Sequence, residues 1–405
     1  MVYDLIIIGG GAAGLFSGAS LPKKVNGLIL EKSNSLGKKL LMSGSGQCNL
    51  THSGSIKDFL SHYGKQGKAI RSVLYQFNND ALISFFKEKE ISTIIREDGK
   101  VFPESLKAKD VLECLCSLCK KNGLSFLLSS KVIDLKKEKE NGYYSVVCEN
   151  NTYRSKKIII ATGGCSYPTT GSDGNFFPVL SKLGMTIEPL HPALTPVFVE
   201  GYPYSALSGI SFDTVKLQIT SKDGKKIAEH SDSLLFTHRN FSGPVILNTS
   251  RFASPGLFLR IQYLPYLSSE ELLSLLKKNL SGNQKQLITV LQELLPLPKR
   301  FLEVICERLS LSPNQKFSQI TGSDVKRLTD VLTKDSYRIS SLDQYNKAMV
   351  TAGGIALSDV NLKTMECKDY PGLYFAGETL DVDGDTGGYN LQFAFSSGHL
   401  AAQHI

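Results

Sequence analysis

The sequence predicts an α/β protein built on a doubly wound parallel sheet, and three observations carry that reading. Leu5-Ile6-Ile7-Ile8, Leu28-Ile29-Leu30 and Ile158-Ile159-Ile160 are short apolar runs without alternation, the pattern of strands buried on both faces. Gly9, Gly11 and Gly14 follow the first run with the spacing G-x-G-x-x-G. Glu31 closes the second run at the distance where such folds place a ribose-binding acid, about 20 residues on.

The opening segment reads as strand, glycine turn, helix, strand. In the turn the first glycine reverses the chain, the second admits a pyrophosphate, and the third lets helix and strand pack closely. Ala12 and Ala13 begin the helix, whose N–H groups and positive dipole end point at the phosphates. A carboxylate at Glu31 accepts ribose hydroxyls and repels a 2′-phosphate, so the predicted ligand is the adenosine half of FAD or NAD rather than NADP. Lys32 follows directly.

The chain has 405 residues, too many for one typical domain. Its formal charge of +8 is mild at this length, and no Lys/Arg run is interleaved with aromatics, so charge gives no reason to expect nucleic-acid binding. The start lacks a basic leader and no apolar run approaches the roughly 18 residues of a membrane span. A cytoplasmic protein without a membrane span is expected. Of the eight cysteines only Cys114, Cys116 and Cys119 cluster, on an amphipathic helical segment. Three thiols without a nearby histidine read as core packing, and no metal site is expected.

After Glu31 comes a loop rich in glycine and serine, from Gly37 to Thr51. Small residues such as Ser45 and Gly46 suit backbone lying against a ligand, and Lys38 and Lys39, just before Leu40, suit phosphate. Flavin disulfide reductases carry two cysteines in the comparable loop. Cys48, beside Asn49, has no second cysteine here, so packing beside a flavin is weighted above dithiol exchange.

Residues 70–125 read as helices around Val101-Phe102-Pro103, and the strand containing Val132 pairs with Tyr143–Val147. The apolar strand ending at Ile160 then turns at Thr162-Gly163-Gly164. From about His191 short alternating segments, Thr214–Thr220 and Gly256–Gln262, read as antiparallel, with a turn at Lys222–Lys225. A leucine-rich helical region opens on the capping box Ser268–Glu271 and runs to about Leu309. The sheet resumes at Gly372–Phe375, runs into Gly377-Glu378, and is followed by Asp381 and a second glycine-opened helix at Gly388-Tyr389-Asn390-Leu391. That order suits a carboxylate on a ribitol and a helix N-terminus aimed at the flavin N1–C2 carbonyl.

These segments, together with Ala161 through Pro168, Leu235-Phe236-Thr237-His238, Ser242-Gly243-Pro244 and Thr364-Met365-Glu366, make the chain resemble the BaiN/YhiN-like NAD(P)/FAD-dependent oxidoreductases over most of its length. The resemblance implies a Rossmann-like two-part FAD-binding domain with an inserted β-barrel domain and a nested helical insertion. The expected boundaries are 1–190 and 346–405 for the FAD-binding parts, 191–263 and 313–345 for the barrel, and 264–312 for the helices. It also implies non-covalent FAD and reduction of a conjugated C=C bond, with other members labelled as amine-type oxidases. Gln47 stands where the family has arginine, Asn240 where it has glycine, and Asn175-Phe176 where it has Asp-Gly. Asn240 is expected to keep its turn through a left-handed backbone.

The sequence thus predicts a soluble FAD-dependent oxidoreductase that passes hydride between flavin N5 and a small organic substrate, with NADH or NADPH as a transient donor. No second G-x-G-x-x-G follows a strand after Gly14, so the donor is expected to meet the flavin face directly. His238 is the candidate general acid, and Tyr167, before a proline, shapes the site. FAD-dependent tRNA modification, an amine-type oxidase and a non-catalytic flavin-binding protein are the rival readings. The substrate and the oligomeric state are not written in the sequence.

Overall fold

A computed structural model describes residues 1–138 and 140–405 and divides them into two compact units, Met1–Ala193 with Gln344–Ile405, and Leu194–Asp343. In the first unit, Leu5, Ile6 and Ile7 are completely buried in strand β1 (Val2–Ile8), as a strand packed on both faces requires, with no solvated side for a polar residue. β1 pairs in parallel with β2 (Gly27–Leu30) on one side, Leu5 opposite Gly27, and with Thr152–Ile160 on the other, Ile6 opposite Ile158. Leu124–Leu127 extends the sheet beyond β2, and Leu373–Phe375 joins in parallel beside Ile158–Ile160.

An antiparallel meander, Val132–Lys137, Tyr144–Cys148 and Thr152–Ile160, branches from this sheet, so the sheet is mixed rather than purely parallel. Helix α1 (Ala12–Ala19) packs against the C-terminal helix Tyr389–Gln403. A side chain at Gly398 would stand 2.8 Å from the Ala13 carbonyl oxygen, so only glycine permits this approach. Cys119 is buried and its Sγ lies 3.2 Å from the Leu15 carbonyl oxygen, while Cys114 and Cys116 are half-buried on the same helix, Ala108–Lys121.

The first unit continues to Ala193 rather than residue 190. His191, Pro192 and Ala193 are still in register with Ala352, Thr351 and Val350 of the strand Val350–Ile355, and the ladder holds them there.

The second unit contains a closed barrel of six strands, in the order Val197–Val199, Phe241–Ser242, Lys226–Phe236, Ser211–Thr220, Phe258–Gln262, Asp335–Leu342. The turn at residues 222–225 joins the two long strands, which pair from Ser211–Leu235 to Thr220–Lys226. Helices Ser269–Lys278, Leu287–Leu294, Lys299–Arg308 and Gly322–Lys334 lie in the chain between the barrel strands Phe258–Gln262 and Asp335–Leu342. The expected capping box is present: Ser268 Oγ accepts from the Glu271 N–H at 3.1 Å, and Glu271 accepts from the Ser268 N–H at 2.8 Å.

The fourth helix corrects the expectation of barrel structure from 313 onward. Val325, Leu328 and Leu332 are buried on one helical face, and Thr321 and Asp324 form a second capping box, so the segment has both a helical period and a start signal. Asp335 begins the last barrel strand and is buried. Its carboxylate accepts from the hydroxyls of Tyr204, Tyr263 (2.9 Å) and Tyr337 (2.6 Å) and pairs with Arg308 at 3.2 Å. Among the described residues no helix is long and apolar enough to cross a membrane.

In the C-terminal helix His399 stacks on Phe77 at 4.2 Å, and its Nδ1 is buried without a partner. Burial therefore holds its pKa down at about 4. The unfolded chain binds this proton near pH 6.5 while the folded one does not, so stability contributed by the neutral ring is lost as pH falls from about 6.5 toward 4. His399→Phe keeps the stack and removes the titration. We expect its thermal midpoint to drop less than the wild type's between pH 7 and pH 5 in parallel melts.

Candidate functional site

The glycine turn after β1 has the geometry its sequence predicts. Gly9 has φ +109°, and a Cβ there would lie 2.3 Å from the Ala161 carbonyl oxygen. At Gly14 a Cβ would lie 2.0 Å from the Gly9 carbonyl oxygen, which is the close helix–strand packing assigned to the third glycine. Gly11 differs from both. Its backbone is extended (φ −87°, ψ −169°) and a Cβ would meet nothing within 4 Å, so open space faces the N-terminus of α1. Ala12 and Ala13 form the first turn, which has no side-chain cap and no acidic residue. Those free N–H groups and that space suit a pyrophosphate.

Glu31 is buried at the end of β2. Its Oε2 accepts from the Gly10 N–H at 2.8 Å, and Oε1 accepts from the Ser33 N–H at 2.8 Å and from the Ser33 hydroxyl. A carboxylate has about four acceptor positions, so one remains for a ribose hydroxyl. Lys32 is ion-paired with Asp173, which places its charge away from any free role.

The lysines of the following loop separate. Lys38 is half-exposed with no ion-pair partner among the described residues, as a phosphate ligand requires. Lys39 was expected at phosphate too, but its Nζ pairs with Glu378 at 2.5 Å and also donates to Ser166 Oγ. The opposite charge decides its position. Glu378 is held on its other oxygen by Ser166 Oγ and the Thr351 N–H, both at 2.7 Å. Leu40 is fully buried in the core, so its side chain packs rather than touching ligand.

Ser45 and Gly46 are exposed on left-handed backbone, and Cys48 is buried with φ +62°. Burial pushes the Cys48 thiol up to about 12, which disfavours the thiolate. Asn49 Oδ1 is buried with no hydrogen-bond partner. A buried acceptor without a donor is costly, and a ligand donor would satisfy it.

Val132 opens the meander and is buried. Thr162 Oγ1 lies 3.4 Å from Thr379 Oγ1, which also accepts from the Gly163 N–H at 3.1 Å. Gly164 faces Thr351 and Glu378 so closely that a Cβ would stand 2.4 Å from Thr351 Oγ1. The Gly377 N–H donates to Ser397 Oγ at 2.9 Å. Asp381 is buried and accepts from the Gly353 N–H at 3.2 Å and from Gln66. Its partners are protein groups on both oxygens.

Gly388 caps the C-terminal helix at φ +101°, with the Thr51 carbonyl where a Cβ would be. Asn390 ties the preceding loop, accepting from the Gly384 N–H and donating to the Gly384 carbonyl, both at 2.8 Å. Leu391 packs against the core. Tyr389 lies between two stacked imidazoles, His52 at 5.3 Å and His62 at 4.1 Å, and His62 Nδ1 pairs with Asp385 at 2.9 Å.

The sequence reading missed this stack and the Ser166–Thr351 cradle. Ser166 sat inside a recognised segment, Ala161–Pro168, but Thr351 and His62 carried no spacing signal. Tyr167 lies in the first unit on left-handed backbone (φ +53°), its N–H donating to the Tyr345 carbonyl at 2.8 Å. His238 belongs to the second unit and is exposed, with no hydrogen-bond partner among the described residues. Asn240 corrects an expectation: its φ is not positive, and the turn is held instead by Thr237, whose hydroxyl donates to Asn240 Oδ1 at 2.6 Å and accepts from the Asn240 N–H at 3.1 Å. A side chain that bonds its own turn removes the need for a left-handed residue.

The open cradle at Gly11, the acid at the end of β2 and the unpartnered Asn49 oxygen fit a dinucleotide cofactor, and with the mixed Rossmann sheet they define an FAD-dependent oxidoreductase. The chain belongs to the family described as HI0933-like protein Rossmann domain, which it matches over residues 3–404. A ribosomal RNA dihydrouridine synthase of Haemophilus influenzae is 34% identical over 406 residues, covering 99% of this chain and 98% of that protein. A 3-dehydro-bile acid delta(4,6)-reductase of Clostridium scindens is 27% identical over 409 residues, covering 98% and 97%. Among solved structures, 3-ketosteroid delta1-dehydrogenase from Sterolibacterium denitrificans superposes with a TM-score of 0.53 over 100% of this chain and 99% of that one, at 11% identity, which shows a shared fold.

Two glycine substitutions separate ligand contact from packing. Gly11→Ala should melt like the wild type without FAD yet bind FAD at least roughly tenfold more weakly, about 1.4 kcal/mol. Gly9→Ala should lower the stability of the protein itself by about 2 kcal/mol or more, because its Cβ meets backbone. Calorimetric FAD titration and thermal melts check the pair. Equal FAD affinity for Gly11→Ala and wild type would remove the pyrophosphate assignment.

Proposed function

We propose that this protein reduces the C5=C6 double bond of a uridine in ribosomal RNA, using NADH or NADPH as donor. The observation that carries the reading is the 34% identity with a ribosomal RNA dihydrouridine synthase across nearly the whole of both chains. That bond is conjugated with the C4 carbonyl, so the reaction belongs to the class implied by the family resemblance, reduction of a conjugated C=C bond. The proposal departs from the expectation drawn from charge. A net +8 over 405 residues is mild, so recognition of RNA is taken to rest on few, placed contacts rather than on bulk charge.

Gly9, Gly11, Gly14 and the first turn of α1 would hold the pyrophosphate of FAD, Glu31 its ribose, and Lys38, Asn49, Gly163, Glu378 and the N-terminus of the Gly388-capped helix the remainder. Bound FAD supplies a two-electron carrier that exchanges hydride with donor and acceptor. The chain's own residues supply field and proton. Glu378, neutralised by Lys39, presents a fixed carboxylate rather than a mobile one. Saturating a conjugated bond needs a proton at the carbon next to the carbonyl, and we assign its delivery to His238, whose exposed imidazole is hydrogen-bonded to no protein group among the described residues. Tyr167, fixed through its backbone, shapes the acceptor site. The domain reading with a barrel insertion and a nested helical insertion is kept as part of this proposal, supported by the barrel strands lying between the two segments of the first unit.

A second reading, reduction of a small conjugated enone, is favoured by the bile acid reductase relative. Mass spectrometry of ribosomal RNA incubated with the protein and NADH or NADPH separates the two. Dihydrouridine formation supports the first reading, whereas turnover of small enones with no change in RNA replaces it by the second. His238→Ala should slow product formation by roughly 10²–10⁴-fold, the usual reach of general acid catalysis. Bleaching of the flavin absorbance by the nicotinamide donor should keep its rate. Equal slowing of both would assign His238 to structure.

A further inference from the structure

Arg96 stands at the start of the turn between the strands Thr93–Ile95 and Lys100–Pro103, and that turn is fixed at both ends: the Arg96 N–H donates to the Lys100 carbonyl and the Gly99 N–H to the Arg96 carbonyl, each at 2.9 Å. Its guanidinium carbon lies 3.9 Å from the centroid of the Phe102 ring, and Phe102 is buried. Nη2 donates to Gln47 Oε1 at 2.6 Å. An exposed arginine is therefore held on a rigid aromatic face and by a neutral amide instead of sampling solvent. No carboxylate pairs with it among the described residues. Two acids follow it in the turn: Glu97 is exposed, and Asp98 is taken by Lys100 at 2.6 Å and accepts from the Lys100 N–H as well.

The hydrogen bond also fixes the amide. A guanidinium has no acceptor, so the oxygen of Gln47 must face it and the NH₂ must face away. The result is a pair of planar groups that offers only N–H donors outward and carries a guanidinium charge that no carboxylate pairs with directly among the described residues. Gln47 belongs to the Ser45–Asn49 loop described above, two positions before Asn49 in the chain. A donor-only planar fork of this kind matches an oxyanion with two or more acceptors, and phosphate is the group for which arginine geometry is best suited.

We propose that Arg96 and Gln47 form a phosphate-binding fork that holds a backbone phosphate of the RNA substrate next to the flavin-binding loop. The inference rests on the RNA reading of the function, and a nicotinamide dinucleotide is the other source of the same phosphate chemistry. A phosphate contact positions the strand and reads no base. Its loss should weaken binding about equally for all sequences.

The test uses the FAD-loaded protein, with Arg96→Gln, Arg96→Lys and wild type compared. Binding of a fluorescent ribosomal RNA fragment is measured by anisotropy from 50 to 200 mM KCl, and KM values for NADH and NADPH are measured beside it. Arg96→Gln should weaken RNA roughly 3- to 10-fold at low salt and lower the slope of log K against log salt by about 0.7–0.9, one phosphate's worth. Arg96→Lys should keep most of the slope, because the charge remains, and still bind more weakly, because it loses the planar fork. A raised KM for the dinucleotides with unchanged RNA binding would give the fork to the coenzyme and overturn the RNA assignment. No change in either measurement would overturn the fork itself. If wild-type protein binds no RNA, the functional reading fails, and the dinucleotide KM of Arg96→Gln alone decides whether a phosphate site exists.

Discussion

One carboxylate holds three distant parts of the chain. Glu378 receives Lys39 from the glycine-serine loop, Ser166 from the turn after the central strand, and the Thr351 N–H from the strand that returns the chain to the sheet. Removing Lys39 would leave a largely enclosed carboxylate without its counter-charge, and removing Glu378 would leave an ammonium among hydroxyls. Either state is strongly disfavoured in a partly buried site. The loops that line the dinucleotide cradle are therefore fixed relative to the sheet by charge pairing, and their small residues are free to serve the ligand rather than the fold.

What the sequence made legible follows from what leaves a local trace. Buried parallel strands write continuous apolar runs, and Leu5–Ile8 and Ile158–Ile160 were readable for that reason. The glycine turn was readable because backbone approach excludes every side chain but hydrogen, and Ser268–Glu271 because a capping box is a spacing rule. The helix Gly322–Lys334 was missed although Thr321 and Asp324 announce it, since an aspartate in the box is a weaker signal than glutamate.

Contacts that join residues far apart were not legible at all. Thr351 reaches Glu378 through a backbone N–H, which no side-chain pattern can reveal. His62 reaches Asp385 across 323 positions. Lys39 was read as a phosphate ligand from its neighbours in sequence, and its partner in space overrode them. Asn240 shows the converse: the family's glycine suggested a conformational requirement, but the substituted side chain bonded to Thr237 and changed the requirement.

The split of the first unit has a consequence for synthesis. On the side away from β1, Ile158–Ile160 presents an apolar strand edge that Leu373–Phe375 covers in parallel, and the residues between Ala193 and Gln344 must be translated first. At roughly 5–20 residues per second, the roughly 215 residues from Ile160 to Phe375 take about 11–43 s. During that interval the nascent sheet carries an open hydrophobic edge of the kind that templates aggregation. The barrel unit, whose segments are contiguous, completes itself while the older unit waits. Slowing or crowding translation should therefore injure the part of the protein made first, and a holding chaperone would act on the edge strand at Ile158–Ile160.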